Sequence, residues 1–171
     1  MALELKKLDK GMKDALDAFI ADWKDEEIIP STLNKYEGDI QRFIDYLDMM
    51  ENDPPRLLVP GTLFFLVDGE EILGVCEIRH FLNSGLLKYG GHMGYGVAPK
   101  HRGSGYAAKM IGMTMPFMKQ VGIDRCLITC VEENVASAKS IENAGGVLEN
   151  TVEIIRNGMP KIGMRYWVEV K

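Results

Sequence analysis

Between residues 94 and 108 the chain passes from a strand-like run through a glycine-rich turn directly into a helical pattern. The turn and the first helical residues read Arg102-Gly103-Ser104-Gly105-Tyr106-Ala107. The first turn of a helix leaves backbone N–H groups without intrahelical partners, and these groups point into one small volume. With the helix dipole they attract an anion such as a pyrophosphate. The segment therefore predicts a phosphate-binding loop, and Arg102 adds a positive charge beside it.

Hydrophobic periodicity predicts helices and strands on both sides of this loop. The helical pattern covers, in chain order, residues 11–24, 33–50, 103–121 and 134–144. The strand pattern covers residues 62–67, 72–80, 90–97, 124–131, 147–155 and 162–170. Ser31 or Thr32 is expected to cap the second helix. This order of elements indicates a mixed α/β domain, with features of the α+β class, built on one twisted sheet.

Length and composition restrict the class of protein. A chain of 171 residues, 46% of them hydrophobic, suits one domain with a sizeable core. A formal net charge of −5 gives no reason to expect nucleic acid or an anionic membrane as a partner. The apolar runs are shorter than a membrane span, and the first residues lack the apolar region of a signal peptide. Three cysteines, an odd number without metal-ligand spacing, predict free thiols, a cytoplasmic setting and no metal.

Two motifs in this order resemble those of the GNAT acetyltransferase superfamily. Its acetyl-CoA signature is Gln or Arg, two variable residues, Gly, one variable residue, and Gly or Ala, which the turn at residues 102–107 matches. Val97-Ala98-Pro99 matches the strand end and proline that usually precede the signature. Downstream, Asn134 to Ser137 followed by Gly145-Gly146 is similar to a second segment of the family. The resemblance covers residues 62–150 well. The surrounding sequence is similar to that of a bacterial group of predicted acetyltransferases of unassigned substrate.

The resemblance implies a fold. A GNAT-like single domain has a central twisted mixed sheet that splays between two parallel strands, with helices on its faces. Gly96 and Val97 would lie on one splayed strand, and Thr129 and Cys130 on the other. Residues 1–55 would form N-terminal helices, residues 62–150 the acetyl-CoA-binding core, and residues 151–171 the C-terminal strands.

The resemblance also implies a binding site for acetyl-CoA as cosubstrate. Its contacts would come from Gly96, Val97, Arg102, Gly103, Ser104, Gly105, Tyr106, Ala107, Asn134 and Ser137. Asn134 would touch the pantetheine arm and Ser137 would lie near the thioester sulfur. The backbone N–H of Val97 would donate a hydrogen bond to the developing oxyanion.

The catalytic acid and base are less well defined by the sequence. Glu77, a carboxylate within an apolar strand, is a candidate base, although its alternation with Ile78 also fits a solvated strand face. His80 is a second candidate because the intrinsic pKa of histidine is near neutral, but a structural role is open as well. Ile141 stands where many family members carry the tyrosine that protonates the departing thiolate. Cys130 would lie near the thioester, but a covalent acetyl-cysteine is rare in the superfamily.

These motifs together favour an enzyme that transfers an acetyl group from acetyl-CoA to a primary amine by direct attack. The acceptor is a small molecule or a peptide, which the sequence does not identify. The alternative is a non-catalytic acyl-CoA-binding module, and a third interpretation is an interaction protein that uses its N-terminal helices. A dinucleotide-binding fold and a Walker A loop are disfavoured because their glycine patterns are absent. A homodimer through the final strands is suggested by analogy alone.

Overall fold

Two antiparallel sheets flanked by helices make up the computed structural model, which describes residues 2–171. The strands are β1 (Leu3–Lys6), β2 (Gly61–Asp68), β3 (Glu71–Arg79), β4 (Met93–Val97), β5 (Arg125–Val131), β6 (Val147–Arg156) and β7 (Met159–Glu169). The helices are α1 (Lys13–Asp22), α2 (Ile40–Asn52), α3 (Ser84–Lys88), α4 (Tyr106–Gln120) and α5 (Val135–Asn143). The mixed α/β class predicted from the sequence is confirmed.

The sheet is divided between β4 and β5. The first sheet has the order β1-β2-β3-β4 and the second the order β5-β7-β6. At the base of the gap, His92 N donates to Leu127 O at 2.8 Å, and the His92 ring nitrogen Nδ1 accepts from Leu127 N at 2.9 Å. Because a side chain takes the place of a backbone carbonyl, this pairing does not continue as a ladder. The structure thus has two sheets where the sequence predicted one, and the parallel course of the splayed strands stays a prediction.

The core consists of two clusters on opposite faces of the first sheet. One lies under α1 and α2 and includes Leu16, Phe43 and Phe65. The other lies under α4 and α5 and includes Met110 and Tyr166. The strands β2 and β3 are buried on both faces, which explains why their sequences are nearly continuous hydrophobic runs. The domain can therefore present a different set of polar side chains on each face.

The start of α2 differs from the prediction. Residues 31–35 form a 3₁₀ turn, and α2 begins at Ile40, where the Asp39 side chain accepts from Arg42 N at 3.1 Å. The predicted caps Ser31 and Thr32 are wrong for this helix. Gly38, with φ of +90°, breaks the apparent periodicity just before the true cap.

Two short elements were missed, and one helix starts later than predicted. The sequence analysis did not identify β1 or α3, which are too short to show periodicity. The helix α4 begins at Tyr106 because Gly103 and Gly105 have φ of +81° and +77°, outside helical geometry. No helix within residues 2–171 combines the length and apolar character that a membrane crossing requires.

Candidate functional site

The glycine-rich loop lies open in front of α4. No side chain caps this helix at Gly105. A Cβ added at Gly103 or at Gly105 would meet nothing within 4 Å, so the space before the helix is free. Ser104 is exposed as well. The unpaired N–H groups of the first turn of α4 thus border an open space, and anion binding there stays a prediction.

Two basic side chains of the loop contact the same carboxylate. Lys100 Nζ and His101 Nε2 lie 2.6 Å and 2.9 Å from the same oxygen of Glu71. The backbone N–H of Lys100 donates to Asp22 Oδ2 at 3.0 Å. The hydrogen bonds from Lys100 and then His101 lower the pKa of Glu71. These contacts hold the loop against the β2–β3 hairpin and α1, and they assign Lys100 and His101 a structural role.

Arg102 faces the N-terminal helices. Its guanidinium is 2.8 Å from Glu26 Oε2 and stacks over the Trp23 ring at 5.2 Å. Its Nε also donates to Val97 O at 3.4 Å. The positive charge that the sequence predicted beside the loop is present, but Glu26 compensates it in this structure.

Val97 and Gly96 turn their backbone groups to different edges of β4. Ala98 N donates to Leu73 O at 2.9 Å, which fixes the hydrogen-bonded register between β3 and β4. Bonded positions alternate along an antiparallel pair, so Gly96 belongs to a bonded pair with Val75. Val97 therefore directs its N–H and C=O to the open edge that faces β5. The Val97 N–H is thus not bonded to β3, whereas the backbone of Gly96 is, and the oxyanion role of Val97 stays a prediction.

Gly96 instead allows a loop of the protein to approach β4. A Cβ at this position would lie 2.8 Å from a Trp23 ring carbon and closer still to the Ile29 carbonyl oxygen. Only glycine leaves room for this contact. The segment between α1 and the 3₁₀ turn thus covers the Gly96 face of β4 and borders the site on that side.

Glu77 lies on this same face, in a polar group contributed by several elements. Its Oε1 accepts from Thr32 Oγ1 at 2.8 Å, and its Oε2 is 3.6 Å from Arg79 Nη2. Burial, and then the charge of Glu77, raise the pKa of Tyr46 on α2. The Glu77 side chain is only 12% exposed. The solvated strand face that the sequence left open does not describe this carboxylate.

His80 and His92 contact residues other than Glu77. The His80 ring contacts Phe117 of α4, at 5.8 Å between ring centroids, and its Nε2 is 2.8 Å from Thr62 Oγ1. Three residues separate it from Glu77, so the two side chains are on opposite faces of the strand. Burial lowers the pKa of both His80 and His92, that of His92 to about 4. The structure therefore does not bring His80 and Glu77 together as one acid–base pair.

A second polar cluster spans the gap between the sheets. The Asn134 side chain caps α5 by accepting from Ser137 N at 3.1 Å. Ser137 Oγ is 2.6 Å from Tyr95 Oη, which belongs to β4. Burial raises the pKa of Cys130 on β5, so this thiol is poorly suited to act as a nucleophile. The sequence analysis missed Tyr95, although a lone aromatic residue in a glycine-rich strand was a usable signal.

Ile141 does not face the site. It is fully buried, and a Cβ at Gly146 would lie 2.5 Å from its side chain. The cluster of buried residues under α4 includes it. Ile141 therefore offers no proton donor to the site.

Two further observations concern ligands. A cavity of about 360 Å³ lies between α1 and the β2–β3 hairpin, where its lining includes Ala15, Phe19 and Ile72. None of the predicted site residues lines it, so the loop and the open edge of β4 describe the site better than this cavity.

Within residues 2–171, no group of three or more His, Cys, Asp or Glu side chains is arranged to hold a metal ion.

Comparison with known proteins agrees with this geometry. A family model described as an acetyltransferase (GNAT) domain matches residues 3–147. No curated protein sequence matches the chain significantly. Among solved structures, ribosomal-protein-S5-alanine acetyltransferase from Vibrio fischeri is 16% identical with a TM-score of 0.73, covering 100% of this chain and 94% of that one.

Two other solved structures are similar to the same extent. An N-acetyltransferase from Staphylococcus aureus is 16% identical with a TM-score of 0.67, and all of both chains is covered. Microcin C7 self-immunity acetyltransferase MccE, solved in complex with acetyl-CoA and AMP, is 17% identical with a TM-score of 0.69. That match covers 98% of this chain and 92% of MccE. At these identities the three structures establish the fold and leave the substrate open.

Proposed function

The chain belongs to the GNAT acetyltransferase family, and from that membership we propose that it transfers an acetyl group from acetyl-CoA to a primary amine. The observation that carries this proposal is the open edge of β4. The N–H of Val97 is directed to this edge, and α4 begins without a side-chain cap shortly afterwards in the chain. A phosphate group and a thioester of one extended ligand fit these two features, which are eight residues apart in the chain from Val97 to Gly105.

Each predicted site residue has a role in binding acetyl-CoA. The backbone N–H groups of the loop from Gly103 to Ala107 bind the pyrophosphate, and Arg102 exchanges Glu26 for a phosphate oxygen. Asn134 and Ser137 border the pantetheine arm. When bound, acetyl-CoA supplies an activated thioester, and the N–H of Val97 stabilises negative charge on its carbonyl oxygen.

The acceptor amine approaches from the face that carries Glu77. This face has a mostly buried carboxylate, Thr32 and Tyr46, and the loop after α1 covers it. Glu77 accepts the proton of the attacking nitrogen, directly or through a water molecule. His80 is given no part in this step, because it contacts α4 on the other face of β3.

Calorimetric titration with acetyl-CoA tests the binding part of the proposal. Gly105→Glu should abolish binding while the fold persists, because the new carboxylate repels phosphate and its Cβ meets nothing within 4 Å. Gly122→Glu is the matched control: Gly122 lies just after α4, has φ of +87° and is equally open. Normal binding by Gly105→Glu, or no binding by the folded natural chain, would refute the proposed site.

Thiol release during incubation with a panel of amines tests the transfer. A second function, an acyl-CoA-binding module without catalysis, is favoured by one observation, the burial of Ile141 where a proton donor is common. Binding of acetyl-CoA without release of thiol on any amine would support the module. Release with one class of amine, reduced at least tenfold by Glu77→Gln, would support the transferase.

A further inference from the structure

Tyr95, Ser137 and Cys130 join three elements across the gap between the two sheets. Tyr95 comes from β4, Ser137 from the first turn of α5, and Cys130 from β5. The Tyr95 Oη to Ser137 Oγ distance is 2.6 Å, and Tyr95 Oη is also 3.4 Å from the Ser137 carbonyl oxygen. An interaction with the Ser137 side chain lowers the pKa of Cys130, against the larger effect of burial, which raises it. The contact between Tyr95 and Ser137 thus connects β4 to α5 at this gap.

Either hydroxyl can donate across the contact between Tyr95 and Ser137. Burial raises the pKa of Tyr95 to about 12, so the phenol keeps its proton at neutral pH. A hydroxyl has one proton and two lone pairs. When Tyr95 donates to Ser137 Oγ, the proton of Ser137 remains free to be donated elsewhere. Two hydroxyls in series also polarise each other, which makes the terminal donor stronger.

The position of this donor matters for the reaction. Tyr95 is two residues before Val97, and both direct their backbone groups to the open edge of β4. The Ser137 hydroxyl contacts the side chain of Tyr95. Ile141 lies one turn further along α5, but it is buried in the core and has no proton to give. The Ser137 hydroxyl is therefore the donor from α5 that contacts β4.

We propose that Tyr95 is a positioning residue that orients the Ser137 hydroxyl toward the sulfur of the departing CoA. This inference rests on the acetyl transfer proposed above. The amine nitrogen forms its bond to the carbonyl carbon, the carbon–sulfur bond breaks, and its electron pair stays on sulfur. Ser137 then donates a hydrogen bond to this thiolate while Tyr95 donates to Ser137. The proton lost by nitrogen passes to Glu77 and from there to solvent, and the thiolate takes a proton from solvent, so Glu77, Tyr95 and Ser137 end unchanged.

Steady-state kinetics of Tyr95→Phe, Ser137→Ala and the double variant test this role. Tyr95→Phe should lower kcat about tenfold to a hundredfold and change the KM for acetyl-CoA less than about threefold. The double variant should be no slower than Ser137→Ala alone, because Tyr95 acts through Ser137. Tyr36→Phe is the matched control, since Tyr36 Oη also makes a 2.6 Å hydrogen bond, to Asp17 on the outer helices. It should leave kcat unchanged.

Binding of the product gives a measurement that needs no acceptor. Free CoA has a thiol that ionises near the pKa of a cysteine, about 8.5, whereas acetyl-CoA has none. A donor aimed at sulfur favours the thiolate, so the affinity for CoA relative to acetyl-CoA should rise about tenfold from about pH 7 to about pH 10. In Tyr95→Phe and in Ser137→Ala this rise should fall below about threefold. A structural role of Tyr95 would change both affinities equally and leave their ratio unaltered.

The outcomes separate this inference from the proposed function. Loss of the pH-dependent ratio in both single variants supports it, even if the acceptor has not been found. Wild-type kcat in Tyr95→Phe, fully multiplicative effects in the double variant, or a ratio independent of pH in the natural chain would overturn it while acetyl transfer stands. Failure of the natural chain to bind acetyl-CoA would overturn both.

Discussion

Two groups of glycines in the same strand–turn–helix segment have opposite surroundings. Gly103 and Gly105 have positive φ and face empty space, where a Cβ would meet nothing within 4 Å. Gly96 has an ordinary strand conformation, but a Cβ there would press against Trp23 and Ile29. The first two leave the space in front of α4 open, and the third lets the protein pack against itself. Glycines of one segment can thus leave open space at one end and permit close packing at the other.

The difference extends to the polar side chains around each region. The cations at the loop, including Arg102 and Lys100, pair with acidic groups that are about half exposed. The side chains near Gly96 and β4, such as His92 and Glu77, are mostly buried and bonded within the domain. We therefore expect changes at the loop to alter binding more than stability, and changes near β4 to do the reverse.

The largest effect is expected when Gly96 and Gly105 are each replaced by alanine. Gly96→Ala should lower the free energy of unfolding by about 3 kcal/mol or more, because the backbone at Ile29 and the Trp23 ring must both move. Gly105→Ala should lower it by about 1 kcal/mol, the cost of a positive φ in a residue with a Cβ. Urea denaturation of both variants measures the difference. Equal losses would show that the packing around Gly96 is looser than the structure indicates.

Acid should also affect the β4 region, through His92. Its folded pKa of about 4 is below the value of about 6.5 expected for the unfolded chain. Above pH 6.5 the imidazole of His92 is neutral in both the folded and the unfolded state. Below pH 6.5 the unfolded state binds the proton more readily, so the free energy of unfolding decreases as the pH is lowered to about 4. This loss should reach about 3 kcal/mol.

His92→Asn separates this contribution from the rest of the acid response. An asparagine oxygen can accept from Leu127 N as Nδ1 does, but it does not titrate between pH 4 and pH 6.5. Denaturation at a series of pH values should therefore give a flatter curve for this variant. A slope equal to that of the natural chain would assign the acid sensitivity to other groups.

The parts that could be predicted from the sequence are those set by local geometry. The glycines at 103 and 105, followed by helical periodicity, were sufficient for the open loop, and Asn134 was correctly identified as a cap. The start of α2 was predicted wrongly, because Ser31 and Thr32 have capping side chains but lie in a 3₁₀ turn eight or more residues before the helix. Capping preference alone does not decide between neighbouring candidates.

The candidate site depended on contacts that sequence patterns do not contain. Glu77 is buried by Thr32, 45 residues away, so strand alternation alone left its environment undecided. Tyr95 and Ser137 are 42 residues apart, and nothing in either local pattern indicates that they meet. The opposite placement of Glu77 and His80 could have been derived, since three residues in a strand change the face.

The smallest effect tests whether the open loop and the covered face are independent. Arg102 belongs to the loop, but Glu26 of the covering segment pairs with it at 2.8 Å. Glu26→Gln should release Arg102 for a phosphate and raise the affinity for acetyl-CoA about twofold to fivefold, within the range of an exposed ion pair. Glu27→Gln is the control, because Glu27 pairs with Arg156 at 3.6 Å instead. Calorimetric titration that gives the same affinity for both variants would mean that the Glu26 pair does not compete with the ligand, and that the two regions act separately.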